Sequence, residues 1–84
     1  MKTYYTHGTC SRAIRFEVDD NQIVTACEFE GGCPGNTQGV ARLVIGKKAK
    51  DVIAMLKGIP CGDKGTSCPD QLARALQSEL NARA

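Results

Sequence analysis

The sequence predicts an α+β fold: a small antiparallel sheet of two or three strands with about three helices packed on one face. Three observations carry this. Apolar residues alternate with charged ones early in the chain. Glycine-rich breaks follow. The second half then shows apolar residues at helical spacing. At 84 residues the whole chain, 1–84, reads as a single domain.

The first strand spans 13–18, where Ile14, Phe16 and Val18 alternate with Arg15 and Glu17. Asp19-Asp20-Asn21 is a turn, because these side chains bond to their own backbone and tolerate left-handed conformations. A second strand, 22–30, sets Ile23, Thr25, Cys27 and Phe29 on one face and completes a hairpin. Residues 3–6 add a short edge strand. Gly31-Gly32-Cys33-Pro34-Gly35-Asn36 breaks the sheet. From Thr37 the pattern is helical, with Val40, Leu43 and Val44 at i, i+3 and i+4, and Gly46 suits the helix end. A second helix covers 49–57, with Val52, Ile53, Met55 and Leu56 inward. Glycine and proline make 58–65 a loop. The last helix begins near Pro69 and turns Leu72, Leu76 and Leu80 inward. Thr66 or Ser67 is its cap, and Pro69 and Asp70 suit its first turn.

Composition narrows the function. A formal charge of +2, with lysines and arginines scattered, does not argue for nucleic acid. No apolar run approaches the ~18 residues of a membrane span. The first residues lack the apolar stretch of a secretory signal, so the expected location is the cytoplasm, where thiols stay reduced. There, five cysteines point to metal ligands or reactive thiols rather than disulfides. Tryptophan is absent and the core must be thin, so self-association into a homo-oligomer is compatible with the chain.

Cys27 lies in phase with Ile23 and Phe29 and reads as a small buried hydrophobe. The other four sit at loops and element ends. Cys33 follows two glycines, Cys61 precedes one, and Cys68 opens the last helix, whose unpaired N–H groups and dipole favour a thiolate. The C-x6-C spacing of Cys61 and Cys68 exceeds an ordinary zinc knuckle, but both positions let ligands converge. Cys10 either shares the core phase of Ile14 and Phe16 or supplies a fourth thiolate. Cys10, Cys33, Cys61 and Cys68 together would make a closed tetrahedral zinc site. With Asp63 or His7 in place of one thiolate the site would be looser. His7, as ligand, proton donor or exposed edge residue, and Asp70 are accessory candidates. An iron–sulfur cluster is the alternative cofactor. A thiol–disulfide exchange between Cys61 and Cys68 is the redox alternative, and a protein-interaction domain with merely packed cysteines is the plainest one.

Thr66-Ser67-Cys68-Pro69-Asp70 resembles the signature of the TSCPD domain. That module ends adenosylcobalamin-dependent ribonucleotide reductases and also occurs as small stand-alone proteins. Tyr5-Thr6-His7-Gly8-Thr9-Cys10-Ser11, Gly31-Gly32-Cys33 with Gly35-Asn36, Cys61-Gly62 and the run from Thr66 to Leu72 carry the resemblance. It implies a link to ribonucleoside-diphosphate reduction and DNA precursor synthesis. Ribonucleotide reduction needs a radical generator and a large barrel, which 84 residues cannot build. The implied role is therefore an accessory to a larger protein partner such as a ribonucleotide reductase. The chain is also similar to iron–sulfur scaffolds of the NifU and IscU type in its order of hairpin, Gly-Cys and Cys opening the last helix. That likeness implies Cys33, Cys61 and Cys68 as ligands. The scaffolds' Asp beside the first Cys is replaced here by Pro34 and Gly35.

Overall fold

The computed structural model describes residues 2–6, 11–31, 34–59 and 66–83, with side chains from residue 37 onward in the first helix. Strands β1 (Lys2–Tyr5), β2 (Ser11–Val18) and β3 (Val24–Gly31) form an antiparallel sheet in the order β1-β2-β3. Helices α1 (Pro34–Val44), α2 (Ala49–Leu56) and α3 (Cys68–Arg83) complete the α+β arrangement.

The hairpin forms where the acidic turn predicts it. The Asp19 carboxylate accepts from the N–H groups of Asn21 and Ile23, each at 2.9 Å, which holds Gln22 at a φ of 63°. Arg83, at the far end of α3, donates to the carbonyls of Asp19 and Val18 and ties the helix to this turn. Glu79 steadies that arginine at 2.9 Å.

The core joins Ile14, Phe16 and Val18 of β2 to Val24, Val44, Val52, Ile53, Leu72 and Leu76. α1 lies along β3, and α2 packs on α3. Between the first two helices, Gly46 takes a φ of +89° after the last turn of α1, as its place at the helix end predicts. The chain there pairs with the edge of β3. Val24 donates to Lys47, Gly46 to Val24, and Ala49 to Gln22, at 2.9, 2.8 and 2.8 Å. The exposed edge of β3 is thus partly covered.

Three inward placements differ from the sequence expectation. Val18 pairs with Val24 but Glu17 with Ala26, so the register slips near Thr25. Val24 enters the core, Cys27 and Phe29 pack against it, and Thr25 turns to solvent. In α1 the buried positions are Thr37, Ala41 and Val44, and Leu43 is 71% exposed. In α2 Val52 and Ile53 are buried, while Met55 is 55% exposed. α1 also starts at Pro34, ahead of the expected Thr37, in keeping with proline's fitness for a first helical position.

Candidate functional site

Ser67 directly precedes α3, and its hydroxyl accepts from the Asp70 N–H at 3.1 Å. This is the N-cap bond to the third helical residue. Cys68 is therefore the first helical residue, with its sulfur 3.2 Å from the hydroxyl of Ser11 on β2. The thiol is partly buried, at the junction of the sheet and the helix start.

Asp70 is fully buried, yet its carboxylate has several donors. One oxygen accepts from the Gly58 N–H at 2.6 Å. The other accepts from the Thr66 hydroxyl and, at 2.9 Å, from Arg74 one turn later. The Gln71 amide in turn donates to Thr66 at 2.9 Å. Desolvation alone would raise the Asp70 pKa. The bonds from Thr66, Gly58 and Arg74 outweigh it, with the Arg74 charge, and hold the carboxyl below its ordinary value. No buried side-chain nitrogen or oxygen among the described residues lacks a partner.

This carboxylate ties two chain positions together. Gly58 and Thr66 bracket the segment that carries Cys61, and both are bonded to Asp70. Gly58 also adopts a φ of +86°, a conformation natural to glycine. The sequence offers Asp70 only as a first-turn acid. Thr66 and Arg74, four residues before and after it, are the signal of its second role. Nothing in the sequence picks out Ser11 as the neighbour of Cys68, because that contact depends on the register of β2.

Of the predicted ligands, Cys68 is placed as described. Cys10, Cys33, Cys61 and His7 lie outside the described residues. The core-packing alternative for Cys10 rests on alternation running back from Ile14. That alternation breaks at Arg12, where Ser11 pairs with Gly31 but Ala13 with Glu30. Among the described residues, no group of three or more His, Cys, Asp or Glu could hold a metal.

Cys27 packs against the core beside Phe29, and burial pushes its thiol from 9.0 up to about 12. A thiol reagent applied to the folded protein at about pH 8 is expected to leave Cys27 unmodified, since the thiolate is the nucleophile. Peptide mapping after labelling checks this. Modification at the rate of an exposed thiol would contradict it.

The fold and the helix-start thiol define a small α+β protein whose last helix opens on Thr-Ser-Cys-Pro-Asp. The model of the TSCPD domain matches residues 2–80, and the chain belongs to that family. Neither a curated protein nor a solved structure gives a match. Among the described residues no helix is long and apolar enough to cross a membrane.

Proposed function

We propose that this TSCPD domain is a metal-binding accessory module for ribonucleotide reduction, with zinc held by Cys10, Cys33, Cys61 and Cys68. The observation that carries the reading is the anchoring of chain segments around Cys68. Ser11, one residue past Cys10, touches the Cys68 sulfur at 3.2 Å. The strand partner of Ser11 is Gly31, two residues before Cys33. Gly58 and Thr66, on either side of Cys61, both bond to Asp70, two residues beyond Cys68. The flanks of all four thiols are thereby drawn toward one end of the sheet.

The donor set fits the metal. Four thiolates suit a closed tetrahedral zinc site. The Ser11 hydroxyl is positioned to donate to the Cys68 sulfur, the kind of outer bond that orients a metal-bound thiolate. When bound, zinc would supply no redox chemistry and would add its binding energy to folding. The family supports a reductase partner, to which this reading assigns the reductive chemistry.

Elemental analysis of protein purified without chelator tests the reading. The expected result is about one zinc per chain, lost when any of Cys33, Cys61 or Cys68 is changed to Ser. Metal-free protein with every site thiol titrating freely would overturn it.

A further inference from the structure

A groove of about 780 Å³ opens at the start of α2. Its apolar lining is Ile23, Ala54 and Met55, and its rim is Lys47, Lys48 and Lys50 with Asp51. The rim carries two more positive than negative charges, which equals the formal charge of the whole chain, +2. The remaining eight basic and eight acidic residues cancel in number. None of the three lysines joins an ion pair among the described residues.

Two further observations bear on what the groove takes. The lysines crowd a helix start, the positive end of the helix, where acidic side chains are the favoured neighbours. Lys48, at the cap position, makes no side-chain capping bond. The local charges thus favour incoming carboxylates. The walls are also fixed in advance. The backbone from Gly46 to Ala49 is hydrogen-bonded to Gln22 and Val24, so Lys47 and Lys48 project from a braced ledge. Preorganisation of this kind lowers the entropic cost of binding.

We infer that the groove is the docking site for an acidic segment of a partner protein, which sets an apolar side chain on Ile23, Ala54 and Met55 and its carboxylates against Lys47, Lys48 and Lys50. Nucleic acid fits less well, because the groove offers no aromatic ring or arginine on which a base would stack. A second copy in a two-fold contact would bring one lysine cluster against another.

The test is an amide-shift NMR titration of the full chain with a short peptide of aspartates flanking one leucine. Controls are the same peptide with serine for leucine, and oligothymidylate. The leucine peptide is expected to shift residues 22–24 and 46–55. Its affinity should fall about tenfold or more in Lys47→Glu/Lys48→Glu/Lys50→Glu, and also as salt is raised. Met55→Ser, an exposed change that leaves the core intact, should weaken the leucine peptide and not the serine one. Absence of shifts, equal binding by the charge-reversed protein, tighter binding of oligothymidylate, or the same shifts from raising the protein concentration alone would each overturn the inference.

Discussion

Asp70→Ala is expected to lower stability by about 2–4 kcal/mol, because it removes a fully buried carboxylate together with its bonds to the Gly58 N–H, the Thr66 hydroxyl and Arg74. For a domain of this size that is a fall in melting temperature of roughly 8–32 °C. Asp70→Asn keeps the shape and separates charge from volume. Its amide can still accept one bond, but it loses the charge that faces Arg74 at 2.9 Å. The pH dependence gives a second readout. The folded carboxyl titrates below the ordinary 3.8, so its contribution is present above that value. It is lost as pH falls through the folded pKa. Wild-type stability should therefore decline with acid below about pH 4 more steeply than that of Asp70→Asn. Parallel acid profiles would show that the carboxylate is not the clamp described. The effect reaches the metal reading as well, since releasing Gly58 and Thr66 frees the segment that carries Cys61. A loss of metal affinity of about 10–100-fold is expected, as for other outer-shell changes.

The second large effect is expected from chelation. Zinc bound by thiolates contributes about 10–16 kcal/mol in small zinc-dependent folds, comparable to the whole stability of a domain. Excess chelator should then remove at least about 3 kcal/mol, a drop of roughly 12–24 °C in melting temperature. Cys68→Ser should reproduce most of this loss without chelator. Cys27→Ala, outside the proposed site, should leave the chelator response intact. Calorimetry on the matched set distinguishes these outcomes. A chelator-insensitive transition would leave the four thiols without a structural metal.

The hairpin and the start of the last helix were legible because local chemistry fixes them. Asp19 must bond to the turn that follows it, and Ser67 to the N–H three residues on. What escaped depended on three-dimensional context. A bulge near Thr25 is one extra residue in an otherwise regular strand, and no residue type there announces it. Leu43 and Met55 satisfy helical spacing, yet a short helix against a small sheet buries only a narrow arc. In α1 the small side chains of Thr37 and Ala41 fill that arc, and Leu43 is left outside. In α2 the arc goes to Ala49, Val52 and Ile53, and Met55 faces the lysine-rimmed groove. For the site, the thiol at the helix start was legible from the Ser-Cys-Pro-Asp order. The bond linking Asp70 to Gly58 was not, because that contact joins residues 12 apart in the chain.

The account rests on a single metal gathered by thiolates around the start of α3. X-ray absorption at the zinc edge, on protein purified without chelator, tests this most directly. The predicted result is a shell of four sulfurs at about 2.3 Å, with the zinc signal lost in Cys68→Ser. No zinc signal, or a shell of nitrogen and oxygen ligands unaffected by Cys68→Ser, would contradict it.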